Sequence, residues 1–250
     1  MLKSLVKTVL YIPLYNALIF LVWLVPGHSV GWAIIILTII IRLLLYPSSA
    51  KTVVIQKKMQ QLQPELEKIK EKYKDDKQGQ AQATMQFYQT NKINPLSGCL
   101  PLLVQLPILY VLYYVFRVGL DESRFSLLYS FIPRPEYVNA IFLGMDLNQP
   151  SIYLAVLAGI LQFFQSRQMM AKQVKKPNTN NKNDDSATNF QNIFSTQMVY
   201  LFPIITVMIG TKLPAALAIY WSITTAFMIL QQWWIYNKAI DNVTVKIRKA

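Results

Sequence analysis

The sequence predicts an all-α polytopic membrane protein, and three observations predict it. Hydrophobic residues make up 53% of the chain and charged residues only 15%, with a mean hydropathy of +0.29. Several apolar runs reach about 17 residues or more, long enough to cross a hydrocarbon core of about 30 Å. The net charge of +13 is concentrated between those runs. That is the footprint of the positive-inside rule, not of a nucleic-acid face, and no DNA partner is expected.

Residues 1–29 open the chain. Lys3 and Lys7 precede an apolar stretch from Val9 to Val25, interrupted by Pro13 and Asn16. No small-x-small cleavage site follows, so this is not a cleaved signal peptide. It is either a short span or a helix lying on the outer surface. Span 1 covers 30–47 and is apolar from Trp32 to Tyr46 except at Thr38 and Arg42, with Pro47 and Lys51 ending it.

Residues 48–94 are the most polar part of the chain. Ile55, Met59, Leu62, Leu66, Ile69 and Tyr73 recur at heptad spacing, and Ala81, Met85 and Tyr88 continue it after a break. An antiparallel helical hairpin is expected, its seams facing each other, with Pro64 kinking the first helix and Asp75 capping the second, three residues before Gln78. Span 2 covers 95–118, and 119–150 is a net acidic loop with Asp121, Glu122, Glu136 and Asp146 against Arg124 and Arg134. Span 3 covers 151–170. The Asn- and Lys-rich loop 171–192 has a composition that resists folding. Span 4 covers 193–211, span 5 covers 214–236, and a basic tail fills 237–250. So short a connection makes spans 4 and 5 antiparallel neighbours.

Counting Lys and Arg sets the topology. Segments 48–94, 171–192 and 237–250 hold nine, four and four; 119–150 and 211–213 hold two and one. The hairpin, the Asn-rich loop and the C-terminus are therefore expected in the cytoplasm.

Enzyme chemistry has little to stand on, and a non-enzyme without cofactor is expected. All twelve Asp and Glu lie outside the spans, so an intramembrane aspartyl dyad is excluded. There is no His-Glu-x-x-His and no glycine-rich phosphate loop. The single histidine, His28, reads as an interfacial polar residue, and the single cysteine, Cys99, as a small apolar helix residue.

Arg42 is the exception that needs explaining. Arginine keeps its proton in essentially any environment, and a charge at the bilayer centre costs about 2.5–3.5 kcal/mol on insertion scales. No intramembrane carboxylate can pair with it. Arg42 lies five residues before Pro47, about 7 Å from the span's end at about 1.5 Å per residue, so its stem could snorkel to the interface. The alternative is a water-filled cavity open to the cytoplasm. Thr38, four residues earlier, shares that helix face. Gln105, Gln162, Ser222, Thr224 and Thr225 are further polar groups in other spans, each also readable as an interhelical hydrogen bond. Trp221 lies seven residues inside span 5, too deep for the aromatic belt.

The motifs resemble a family. The run Gly31–Pro47 with its Thr38 and Arg42 resembles the first core span of the YidC/Oxa/Alb membrane-protein insertases. Leu62-Gln63-Pro64 looks like an element of that family's cytoplasmic hairpin. The stretch Asn94-Pro95-Leu96-Ser97-Gly98-Cys99-Leu100-Pro101, continuing to Gln105 and Pro107, is similar to its second-span signature. Leu213-Pro214-Ala215-Ala216-Leu217 with Tyr220-Trp221 and Gln231-Gln232 resembles its fifth span. Two departures stand out: Thr224-Thr225 where the family usually carries Ser-Asn, and Ala215-Ala216 where it usually carries a small residue and Gly.

The resemblance implies five core spans enclosing a hydrophilic groove, open to the cytoplasm and to lipid and closed outside. It makes Arg42 the groove's positive charge, with Thr38, Gln105, Gln162, Trp221 and Thr225 lining it. It places the early part of residues 1–25 as an amphipathic helix on the outer face. The implied function is a nucleotide-independent insertase and chaperone in the bacterial inner membrane, acting as a monomer on nascent membrane proteins, in contact with lipid. The ribosome and the Sec translocon are candidate partners. A small-solute transporter with a site at Arg42, or a structural membrane scaffold, would be the competing classes. A transporter's usual inverted repeat is not seen.

Overall fold

The computed structural model describes residues 7–94, 100–118, 126–170 and 199–247. Cys99, Asp121, Glu122, Arg124 and the segment 171–192 lie outside the described residues. The described chain is predominantly helical. A π-helical turn (Lys7–Tyr11) leads into α1 (Ile12–Leu24), followed by α2 (Val30–Leu44), α3 (Tyr46–Lys72), α4 (Lys77–Thr90) and α5 (Leu100–Val118). A β-hairpin comes next, β1 (Ile141–Phe142) and β2 (Met145–Asp146), then α6 (Ile152–Met170), α7 (Val199–Gly210) and α8 (Ala215–Ile247). Among the described residues, Lys7–Leu24 and Ala215–Asn237 are each long and apolar enough to cross a membrane, and α2 and α3 make a third only if the bent pair is taken as one span.

The chain divides into two compact units. The first comprises 1–46, 102–162 and 203–228. Its core is a single apolar cluster from α1 (Tyr15, Leu18, Val22), α2 (Ala33, Ile34, Leu37), α5 (Val111, Val115) and the start of α8 (Ala216, Leu217, Tyr220). α1 is apolar all round: the face away from the core carries exposed Phe20, Trp23 and Leu24. Asn16, the polar break foreseen in this stretch, is buried and fully used. Its Nδ2 donates to the carbonyls of Ile12 (2.8 Å) and Leu127 (3.1 Å), and its Oδ1 accepts from the Tyr129 N–H (2.7 Å).

Between residue 126 and α6 the loop ties helix ends together. The Val30 N–H donates to the Asn139 carbonyl, and the Asn139 N–H to the His28 carbonyl. At the start of α8, the N–H groups of Ala215 and Ala216 donate to the carbonyls of Gln149 (2.9 Å) and Leu147 (3.1 Å). Helix N-termini leave such donors orphaned, and here the loop backbone satisfies them. Phe142 of β1 packs on Gly31, where an added Cβ would overlap the ring. The hairpin turn is Leu143-Gly144, both at positive φ (49° and 78°), the two-residue turn that matches strand twist. Leucine there carries about 1–2 kcal/mol of strain that glycine would avoid. α6 and α7 meet through small residues, Gly159 against Val207 and Gly210 against Ala155, the close approach typical of packing in lipid.

The second unit comprises 47–101, 163–202 and 229–250. α2 ends at Leu44, and Pro47 stands in the first turn of α3, where its missing N–H removes nothing. Pro64 lies inside α3 without ending it. Ile55, Met59, Leu62, Leu66, Ile69 and Tyr73 are all half-buried or buried, but in α4 the expected seam is wrong: Ala81 and Met85 are exposed. Tyr88 is half-buried as expected, and Gln80, Ala83, Thr84 and Phe87 are less exposed in place of the other two; Gln80 Nε2 donates to the Lys70 carbonyl (2.8 Å). The cap also differs from expectation. Asp76, not Asp75, caps α4, accepting from the Gly79 N–H at 2.9 Å. The turn after α3 closes with the Asp76 N–H on the Tyr73 carbonyl, so Asp75 is consumed inside the turn and the cap moves one residue on.

Gly31→Val is expected to lower stability by about 1–3 kcal/mol through overpacking against Phe142, and Phe142→Ala in the same chain should recover part of the loss. Thermal unfolding of the purified protein measures both. Asp76→Ala is expected to cost about 1 kcal/mol, read as faster amide exchange confined to the first turn of α4.

Candidate functional site: a guanidinium held by neutral groups

The site is built in the first unit. α2 carries Thr38 and Arg42 on one face. The Thr38 hydroxyl is buried and donates back to the Ile34 carbonyl at 2.6 Å, which commits its proton to its own helix. Arg42, one turn on, is half-buried, and its Nη2 donates to Gln105 Oε1 of α5 at 2.7 Å. Tyr220 of α8 lies beside the guanidinium, its hydroxyl against the side chains of Gln105 and Thr224. Among the described residues no carboxylate forms an ion pair with Arg42. Three helices thus bring neutral groups to a permanent charge. The amide oxygen satisfies one N–H, and the charge is left standing.

A second polar pair adjoins the first along α8. Trp221 Nε1–H donates to Gln162 Oε1 of α6 at 3.1 Å. Tyr220 and Trp221 are consecutive, so they point about 100° apart around the helix, one to Arg42 and Gln105, the other to Gln162. Thr225 is buried in α8, and the Ser222 hydroxyl is buried with no hydrogen-bond partner among the described residues. Of the six expected site residues, Arg42 is joined to Gln105 and Trp221 to Gln162. Thr38 is turned into its own backbone, and Thr225 forms no hydrogen bond to the other five.

Tyr220 was missed as a site residue. Its sequence signal was available: 220 and 224 are one turn apart on α8, so a tyrosine and a threonine share a face inside an apolar span. A tyrosine near a span's start reads equally well as an aromatic anchor, and only packing against Arg42 separates the two. Among the described residues no cluster of His, Cys, Asp or Glu could hold a metal ion.

Apolar helices with buried amides between them, and a guanidinium met only by neutral groups, define a helical membrane protein. A family profile described as "60Kd inner membrane protein" matches residues 22–242. The chain is similar to the membrane protein insertase YidC of Fusobacterium nucleatum, 36% identical over 208 residues that cover 83% of this chain and 86% of that one. It is similar to the membrane protein insertase MisCA of Bacillus subtilis, 35% identical over 82% of this chain and 69% of the relative. Against YidC of Coxiella burnetii the identity is 30% over 97% of this chain, but only 38% of that longer protein. This chain belongs to the 60Kd inner membrane protein family, the YidC/Oxa/Alb group whose motifs its sequence carries.

Gln105→Leu is expected to destabilise the protein by about 1–3 kcal/mol, because a charged donor loses its acceptor in a half-buried site. Trp221→Phe should cost less, about 0.5–1.5 kcal/mol, since it removes a neutral bond and keeps the ring. Thermal unfolding in one detergent ranks the two.

Proposed function

We propose that this chain is a membrane-protein insertase. It would lower the barrier for polar segments of nascent membrane proteins and release their apolar helices into lipid. The observation that carries the reading is the Arg42–Gln105 contact: a fixed positive charge inside a helical membrane protein, with neutral partners and, among the described residues, no acid to cancel it. The relatives, themselves named membrane protein insertases, point the same way.

The physical case is a comparison of magnitudes. Moving an acidic side chain to the bilayer centre costs about 2.5–3.5 kcal/mol on insertion scales. A carboxylate about 4 Å from a guanidinium gains about 4 kcal/mol at an effective dielectric near 20. One arginine at moderate depth is therefore enough to offset one passing acid. In this reading five spans (30–47, 95–118, 151–170, 193–211 and 214–236) enclose a hydrated groove that Arg42, Thr38, Gln105, Gln162, Trp221 and Thr225 line, to which Tyr220 is added. The polar segment of the substrate enters the groove while its apolar helix slides along lipid-facing surfaces of spans 2 and 4. Burial of that helix supplies the drive, about 0.8 kcal/mol per CH₂, so no nucleotide is consumed. The basic hairpin 48–94 and the tail 237–250 lie on the cytoplasmic side, where they would meet anionic lipid, the ribosome or the Sec translocon.

Purified protein in liposomes is expected to insert a single-span substrate with an acidic outer segment without nucleotide. Arg42→Glu, at equal abundance, should reduce insertion to the protein-free background, and Arg42→Lys should retain most of it. Insertion by Arg42→Glu at the normal rate would remove the electrostatic part of the reading.

A further inference from the structure

The hairpin tip presents an apolar residue in the most expensive way available. Leu143 sits at φ +49° and is 80% exposed. The turn type favours Asn or Gly at that position, and a polar residue there would be relieved of both strain and exposure. Nearby on β1, Ile141 is also exposed at 54%.

The hairpin's place in the fold says what surrounds it. Phe142 rests on Gly31 and meets the Trp32 ring edge-on at 5.6 Å between centroids, so β1 lies at the level of the first turn of α2. On the other side, the Ser151 hydroxyl donates to Met145 Sδ at 3.4 Å, which sets β2 beside the first turn of α6. That turn exposes Ile152 and Tyr153. Trp32 is exposed as well. The hairpin thus continues the exposed apolar surface at the first turns of α2 and α6, and the exposed Trp32 and Tyr153 there are the aromatic side chains that favour the boundary between acyl chains and headgroups. No lysine or arginine lies between residues 135 and 153, and the hairpin's one acid, Asp146, accepts from the Asn148 N–H instead of pointing free.

We propose that the hairpin 141–146 is a lipid anchor, with Leu143 and Ile141 inserted into the leaflet beside the first turns of α2 and α6. It holds the mouth of the helix that carries Arg42 at a fixed depth. The proposal uses only the membrane character of the helices and stands apart from any insertase activity.

The test uses the full chain in lipid nanodiscs on a Cys99→Ser background, Cys99 being the single cysteine. Leu143→Cys and Asn148→Cys are each labelled with an environment-sensitive fluorophore, and lipids bearing a shallow nitroxide are added. The label at 143 should shift to the blue and be quenched, while the label at 148 should be neither. Leu143→Asn, which suits the turn and preserves the hairpin, should then reduce the quenching of a label placed by Ile141→Cys. A water-like, unquenched label at 143 overturns the proposal. So does a label at 143 that responds to an added substrate protein and not to the nitroxide lipid, since the surface would then dock a protein. Unchanged quenching at 141 in the Leu143→Asn chain overturns it too. Loss of insertion activity in any of these variants bears on the insertase reading, not on this one.

Discussion

A guanidinium cannot give up its proton to suit an apolar helix, and the first unit is arranged around that fact. A carboxylate beside Arg42 would have cancelled the charge and made a stable buried pair. The chain instead supplies Gln105 from α5 and Tyr220 from α8. An amide oxygen satisfies a donor without neutralising it. The field of the arginine therefore survives, and it is held in place by three helices.

Neutral amides do the same work elsewhere. Asn16 joins α1 to the loop at 127–129, and Gln162 receives Trp221. In the second unit Gln231 and Ser49 exchange hydrogen bonds, Gln60 donates to the Met169 carbonyl, and Gln168 to that of Ile229. Lys57 donates to the Tyr236 carbonyl at 2.6 Å and lies over its ring. Glutamine bridges helices at a modest desolvation cost, because it carries no net charge and pairs with whatever backbone a neighbour offers. The two units thus share a chemistry: apolar surfaces for bulk, amides for register.

The loop before α6 is the least expected part. Its composition, with three prolines between 133 and 150, reads as a connector. It is a brace instead. Its backbone caps α8 and pairs with the entrance to α2, and its Phe142 requires the glycine at 31. Sequence patterns could not reveal this, because the bonds run between backbone groups, which every residue carries. The same holds for the cap of α4. Two adjacent aspartates offer the same side chain, and only the closing geometry of the turn selects Asp76.

What the sequence determined by itself was chemical identity and periodicity: apolar helices, a heptad seam in α3, an arginine that no acid in any span could neutralise, and motifs specific enough to name a family. These are properties of side-chain type and spacing along one helix, and both are written in the chain. What only the tertiary structure decided was partnership across helices: that Arg42 meets Gln105, that Tyr220 belongs beside them, that Thr38 bonds its own backbone, and that α4 presents Phe87 where Ala81 and Met85 were expected. The rotation of one helix against another is fixed by packing and turn closure together, and a single strand of sequence carries no coordinate for it.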